Sequence, residues 1–317
     1  MIYDCFTFFN ELEVLRLRLE ELWEVVDRFV LVEATVTHAG APKPLVFADN
    51  REAFAPYLSK ITHIVVSDMP DGPDPWAREC FQRDAIARGL DGVGANDWVI
   101  VSDVDEIPRA NIVAALPQYP FVAVGLQMPL SYFKVNYVNV RGEAHMVWGV
   151  ACRAGAMSSP QGLRAARMQM MRKAYLVANK GRVIARPHAG WHFSYLGDAD
   201  HVRTKIQAFV HQEVNRPDTI DHLDLDAIMK SGADIFQREN YAWEVVPISD
   251  YFPERIVSDR ERYRHLIAET PIGGGGRAPR RPSRQPNCVS MVPESDTFRP
   301  LSSTFNRVTT PSLTSIE

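Results

Sequence analysis

The sequence is poor in cysteine, and none of its cysteines are paired at metal-ligand spacing. Cys5, Cys80, Cys152 and Cys288 are scattered. That argues against a zinc-ribbon site or a disulfide framework and sets a reducing compartment as the expectation. Long apolar runs are also missing. No stretch approaches the ~20 residues that a bilayer-spanning helix needs, and nothing ahead of the strand-like segment at Ile2 has the form of a signal peptide. A cytoplasmic protein without a transmembrane segment is therefore expected. There is no basic excess: 35 Lys and Arg stand against 39 Asp and Glu, for a net charge of −4. No nucleic-acid partner is implied. Internal repeats are absent, and nothing in the sequence sets the oligomeric state. The 317 residues suffice for one large domain or two small ones.

What is present is an alternation of strand and helix. Ile2 to Phe9 reads as a strand. Leu12, Leu15, Leu19, Leu22 and Val26 recur at helical spacing, so Glu11 to Val26 reads as an amphipathic helix with Asn10 as its N-cap. RFVLVEA (28–34) and ITHIVV (61–66) are further buried strands. Asp74-Pro75 opens a helix reaching about Leu90, as N-cap followed by proline at the first helical position. A fourth strand runs from Asp97 to Ser102. This order predicts a mainly parallel α/β sheet covered on both faces. Beyond it, a helix is expected to about Leu116, and strands at 121–128 and 145–153. SYFKVNYVNV (131–140) reads as one extended segment, and GWHFSYL (190–196) as a short aromatic strand. Asp198 caps a helix from Ala199 to about Val214, and a last helix covers Leu225 to Arg238. From Pro271 the chain becomes rich in Gly, Pro, Arg and Ser. Residues 271–317 are read as a disordered tail.

The richest stretch is WVIVSDVDEIP (98–108), in which a buried-strand run ends abruptly in three carboxylates. Open α/β sheets bind ligands beyond the carboxyl ends of their strands. Residues two apart in extended backbone point to one side. Asp103 and Asp105 could thus grip a hard divalent cation, and the cation could hold phosphates. A bare Asp-x-Asp is a common string and usually only a solvated loop. Its position at a strand end is what raises its weight.

Several blocks carry a family resemblance. MIYDCFTFFNELEVLRLRLEEL, VDRFVLVEATVTHAGAPKPLVF, WARECFQRDAI, VIVSDVDEIP and GWHFSYLG resemble, in the same order, blocks of glycosyltransferase family 17. The likeness spans about residues 1–268. It implies a GT-A fold, with a Rossmann-like nucleotide-sugar-binding sheet and acceptor-side elements following it. The domain expectation is a glycosyltransferase unit at 1–270, with its donor half at 1–108 and its acceptor half at 109–270. The chain departs from the family pattern at Ala189-Gly190 and Gly197-Asp198, and in the tail. The implied activity is inverting transfer of a sugar, N-acetylglucosamine from UDP-GlcNAc, to a hydroxyl of a saccharide acceptor, with Mn²⁺ or Mg²⁺.

The resemblance also implies roles. Asp105 would coordinate the metal directly, and Asp103 would act through water or the ribose hydroxyls. His192 would be the third ligand, with His188 as a weaker candidate. A hydrogen-bonded core histidine is the plain alternative. Glu106 would be a second-layer partner or a surface acid. Arg78 and Arg83, with Glu79 and Gln82 on the same helix, could fork onto the donor phosphate; an exposed Glu79–Arg83 pair is the alternative. Glu33, Thr37, His38 and Lys43 would line the donor site. Glu213 is the favoured catalytic base, ahead of Glu143 and of Asp198, which also fits a helix cap. Trp148, Tyr132 and Trp191 could stack on sugar rings, although core packing is the default for any single aromatic. Two rival readings remain. One is a haloacid-dehalogenase-like phosphohydrolase, which also uses Asp-x-Asp at a strand end. The other is a glycosyltransferase-like protein that binds sugar or nucleotide without turnover.

Overall fold

Apolar residues in successive strands alternate between two cores, and this alternation builds the sheet. Phe6, Phe8, Phe29, Leu31 and Ile100 point into one layer, while Cys5, Val30, Val32, Val99 and Val101 point into the other. A strand buried on both faces has no polar side to show, which is why these segments read as unbroken apolar runs. The computed structural model describes residues 1–142, 146–210, 215 and 223–269. Glu143, Glu213 and the tail at 271–317 lie outside the described residues.

The strands are β1 (Ile2–Phe8), β2 (Arg28–Ala34), β3 (Ile61–Val66), β4 (Trp98–Asp103), β5 (Glu106–Pro108), β6 (Ala123–Met128), β7 (Leu130–Tyr132), β8 (Tyr137–Asn139), β9 (Met146–Arg153), β10 (Val183–Arg186), β11 (Gly190–Ser194) and β12 (Trp243–Val245). They form a seven-stranded sheet in the order β10-β6-β9-β4-β1-β2-β3 and a five-stranded sheet in the order β12-β8-β7-β11-β5. In the larger sheet β1, β2, β3 and β4 are mutually parallel, and β9 runs antiparallel to both β4 and β6. The mixed α/β fold is thus as expected. β6, β9 and β10, all from beyond residue 108, complete the same sheet.

Helix α1 (Leu12–Leu22) is buried on two sides. Leu15, Leu19 and Leu22 join the core of the large sheet, while Val14 and Leu17 pack with Ile107, Trp191 and Phe193 of the small one. Asn10 does not cap it. Instead the Glu11 carboxylate accepts the Phe9 and Asn10 backbone amides. A short helix α2 (Val46–Asp49) follows β2, and α3 (Pro75–Asp84) begins where Asp74 accepts the Trp76 amide. The segment 131–140 is a pair of strands rather than one. The chain reverses between β7 and β8 through Phe133, which adopts φ 60° without any glycine to mark the turn. After α4 (Ala110–Ala115), helices α5 (Pro160–Met170) and α6 (Lys173–Ala178) add cover that the sequence pattern did not announce. Helix α7 (Ala199–Ala208) starts at Asp198, whose side chain accepts the His201 amide. At Gly190 a Cβ would collide with the Ile107 carbonyl, so β11 can lie this close to β5 only with glycine there.

Candidate active site at the acidic turn

The acidic stretch is the link between the two sheets. β4 ends at Asp103 in the large sheet, Val104 and Asp105 form a turn, and β5 opens at Glu106 in the small sheet. This corrects the alternation argument. The turn breaks the extended backbone, so Asp103 and Asp105 have separate partners.

The turn is fixed from below by Arg18 of α1. Its Nη1 donates to the carbonyls of Asp103 (2.8 Å), Val104 (3.2 Å) and Glu106 (3.0 Å), and its Nη2 to Ser102 Oγ (2.7 Å). Nε and Nη2 also form a two-pronged pair with Asp4, at 2.7 and 2.6 Å. Both side chains are 0% exposed. A buried charge pair of this kind holds when each partner is satisfied, and here each is.

Asp103 accepts from Thr7 Oγ1 (3.1 Å), Arg83 Nη2 (3.0 Å) and Arg164 Nη2 (2.9 Å). Burial opposes its ionisation, but Arg164 and Arg83 outweigh that and hold the carboxyl well below the usual range. Glu106 is fully buried. It takes two bonds from Arg164 (2.7 and 2.6 Å) and accepts the Asp103 amide (2.9 Å). Glu106 is thus part of the buried scaffold and not a surface acid.

Asp105 faces the other way. Lys205 of α7 donates to its Oδ2 at 2.6 Å and also pairs with Glu11 at 2.9 Å. Burial pushes the Asp105 carboxyl up, with Lys205 and His192 opposing the rise. The two carboxylates raise Lys205 above its usual value despite burial, so its ammonium stays charged. His192 Nε2 lies 3.6 Å from Asp105 Oδ1. Burial lowers the His192 pKa, which keeps the ring neutral near pH 7. The Trp148 ring meets His192 edge-on at 4.3 Å, and Arg167 lies 5.5 Å from the Trp148 ring.

This chain of side chains shares one property. Asp105 Oδ1, His192 Nδ1, Trp148 Nε1 and Arg167 Nη1 are all buried without a hydrogen-bond partner. Native interiors leave few such atoms, and each calls for a partner such as a water, an ion or a ligand.

The other expected residues divide. Arg83 belongs to the site: besides Asp103 it bonds Glu79 (2.6 Å) and Gln161 (2.8 Å), so the Glu79 pair is real but buried. Arg78 braces a loop, donating to the His38 and Gly72 carbonyls. His38 pairs with Gln82 at 2.8 Å, and burial lowers its pKa. Glu33 does not line a donor pocket. It is 0% exposed, and its oxygens accept the Phe47 and Ala48 amides at the start of α2 while meeting His63 and, at 3.8 Å, Lys43. Trp191 is not a sugar platform either. It is 2% exposed, donates to the Tyr251 carbonyl and stacks on Phe193, because neighbours on a strand face opposite ways and His192 takes the site side. Tyr132 is likewise core, stacked on Trp243. His188 sits with Tyr251, bonded at 3.2 Å, rather than with the acids. Asp198 is occupied as a helix cap. Glu213 lies outside the described residues.

Sequence reasoning missed Asp4, Thr7, Glu11, Arg18, Arg164, Arg167 and Lys205. A signal existed for two of them. Ser159-Pro160 is a cap-and-proline helix start, and Arg164 and Arg167 lie three apart on the helix it opens.

Among the described residues no group of three or more His, Cys, Asp or Glu side chains is arranged to hold a metal ion. The expected trio therefore reduces to Asp105 and His192, because Arg83 and Arg164 claim Asp103.

Comparison with known proteins bears on this site. The β-1,4-mannosyl-glycoprotein 4-β-N-acetylglucosaminyltransferase of Homo sapiens is 30% identical over 119 residues, which is 35% of this chain and 22% of that protein. The Mus musculus enzyme of the same name is 29% identical over the same length. The match thus spans less than a quarter of those relatives. Among solved structures, a Pyrobaculum calidifontis mannosyltransferase in complex with GDP-Man and Mn²⁺ is 11% identical, covers 65% of this chain and 60% of its own, and has a TM-score of 0.36. A Francisella tularensis 2-C-methyl-D-erythritol 4-phosphate cytidylyltransferase is 10% identical, covers 59% of this chain and 90% of its own, and has a TM-score of 0.31. Likenesses this distant carry no argument about chemistry. The sequence profile is the firmer result: residues 1–137, with the whole acidic turn among them, match glycosyltransferase family 17.

Proposed function

We propose that this protein is a glycosyltransferase whose donor is a nucleotide sugar, UDP-GlcNAc, and whose acceptor is a saccharide hydroxyl. The observation that carries the reading is the run of unpartnered buried atoms on Asp105, His192, Trp148 and Arg167, set against an acidic turn inside the family-matched segment.

A divalent cation, Mn²⁺ or Mg²⁺, would be held by Asp105 and His192. Asp105 Oδ1 has no hydrogen-bond partner and lies 3.6 Å from His192 Nε2, so a cation there would take one carboxylate oxygen and one neutral imidazole. Bound there, it would offset charge on the departing diphosphate. Lys205 holds Asp105 in place, and Arg18 holds the turn that carries it. Asp103, whose side chain is 31% exposed, would accept a ribose hydroxyl on a lone pair left free by Thr7, Arg83 and Arg164. Trp148 offers an indole N–H and part of a ring face. Inversion needs one carboxylate to take the acceptor proton during in-line attack, and Glu213 remains our proposal on sequence grounds. A cytoplasmic setting is part of the proposal, supported by the free thiols Cys5, Cys80 and Cys152.

The phosphohydrolase reading needs Asp103 as a free nucleophile. Both its oxygens are instead bonded by Thr7, Arg83 and Arg164. Calorimetric titration of UDP and UDP-GlcNAc, with and without Mn²⁺, tests the proposal together with a turnover assay. We expect cation-enhanced binding and turnover, both lost in Asp105→Ala. Binding without turnover would favour a non-catalytic binding protein, and no nucleotide binding by the folded protein would overturn the reading.

A further inference from the structure

Three arginines crowd one side of Asp103, and two of them are balanced. Arg83 pairs with Glu79 and Asp103, and Arg164 with Asp103 and Glu106. Arg167, one helical turn beyond Arg164 on α5, forms no ion pair with any described residue. Its Nη1 is buried and has no hydrogen-bond partner. The Trp148 ring lies 5.5 Å from the guanidinium, so one side of it meets aromatic carbon rather than water. Burial and the neighbouring Arg164 charge bring its pKa down to about 10. Even so it stays protonated at neutral pH, and it cannot relieve its isolation by losing a proton.

A guanidinium nitrogen buried without an acceptor is an unfavourable arrangement for a free protein. It becomes favourable when an anion arrives. We propose that Arg167 is the seat for a phosphate oxyanion of the ligand, with Arg164 and Arg83 at its flank and Trp148 as its floor. Guanidinium forks match phosphate oxygens in pairs. Arg83 and Arg164 already have carboxylate partners, so an incoming phosphate oxygen is directed to the unpartnered Nη1 of Arg167. For the phosphate to belong to a nucleotide-sugar diphosphate, the glycosyltransferase reading must hold. The unpartnered Nη1 of Arg167 does not depend on it.

The test is calorimetric titration of inorganic pyrophosphate into the full-length protein, into Arg167→Met and into Arg167→Lys. We expect pyrophosphate to bind the wild type, to bind Arg167→Met at least tenfold more weakly, and to bind Arg167→Lys in between. Without ligand, Arg167→Met should melt at the same temperature as the wild type or higher, whereas an arginine kept for structure would lower the melting point on removal. Arg167→Lys keeps the charge without the fork and serves if the methionine variant misfolds. Equal pyrophosphate affinity in wild type and Arg167→Met, or none in the wild type, overturns the proposal. The two readings fail separately. Turnover of UDP-GlcNAc with an unchanged KM in Arg167→Met removes the phosphate seat and leaves the transferase. Arg167-dependent pyrophosphate binding with no turnover of any nucleotide sugar does the reverse.

Discussion

Arg18 Nη1 lies 2.8 Å from the Asp103 carbonyl oxygen, across 85 residues of sequence. A helix that follows the first strand thereby holds the turn that follows the fourth. The same guanidinium is locked to Asp4, so β1, α1 and the acidic turn form one hydrogen-bonded block. Geometry at Asp105 rests on that block as much as on the residues touching it.

Replacing Arg18 with Met should therefore damage stability more than any change at the site itself. Asp4 would be left buried without its counter-ion, and three carbonyls of the turn would lose a donor. Breaking a buried pair in this way costs about 3–5 kcal/mol. Urea unfolding followed by circular dichroism reads it directly. A loss under 1 kcal/mol would show that the block is not what holds the turn.

Lys205→Met should act through charge. It leaves Asp105 and Glu11 facing each other without their shared cation. The Asp105 carboxyl, already raised by burial, then rises further, and the Glu11 carboxyl, held down by Lys205 in the wild type, rises with it. A raised native pKa contributes stability at low pH that is lost as pH rises through it. The variant should thus be closest to wild type in mild acid and fall further behind towards pH 8. A gap that does not change with pH would contradict this account.

Asp103 predicts the opposite slope. Its native carboxyl sits well below the ordinary value of 3.8. The stability it supplies is present above that ordinary value and drains away as pH falls through the depressed one. Asp103→Asn should flatten the acid limb of a stability–pH curve. An unchanged acid limb would mean that Arg83 and Arg164 do not stabilise the ionised form.

His192→Ala should separate the cation from the phosphates. With Asp105 as the one remaining donor of the pair, Mn²⁺ affinity should drop by about tenfold or more, since losing even a residue that only supports a metal ligand costs about that much. Pyrophosphate binding in the absence of metal should be unaffected. Parallel loss of both would place His192 with the phosphates instead.

Trp148 provides a direct reporter. Its indole N–H is buried and unpartnered, and its ring contacts both His192 and Arg167. UDP binding should change tryptophan fluorescence in the wild type, and the change should vanish in Trp148→Phe. A signal that survives the substitution would assign it to another tryptophan.

Much of the frame was readable from sequence, for a physical reason. β2 and β3 match their expected spans residue for residue: β2, buried on both faces, is written as an apolar run bounded by polar residues, whereas β3 is a half-buried edge strand with Val65 exposed, not the buried strand expected. The Asp74-Pro75 helix start is equally local and held. The site was legible only where the motif is local, at Asp103 and Asp105. Arg18, Lys205 and Arg164 were invisible because a charged residue on a helix normally faces water, and only the packed chain shows these three buried. The same limit misplaced Glu33 and Trp191: residue type suggested ligand contact, and burial assigns both to structure. Alternation failed at Val104 because it assumes an unbroken strand, and the two-residue turn at Val104 and Asp105 ends one sheet and begins another.

That turn also gives the molecule a mechanical property. Asp103 is the last rung of the large sheet, and Asp105 is fastened to Lys205 and to β11 of the small one, whose Phe193 amide bonds the Asp105 carbonyl at 2.8 Å. A ligand that grips both carboxylates would rivet the sheets together at their seam. Slippage of one sheet past the other and release of the ligand then become the same motion, so the slowest amide-exchange protection in β4 and β5 should lengthen in step with ligand residence time.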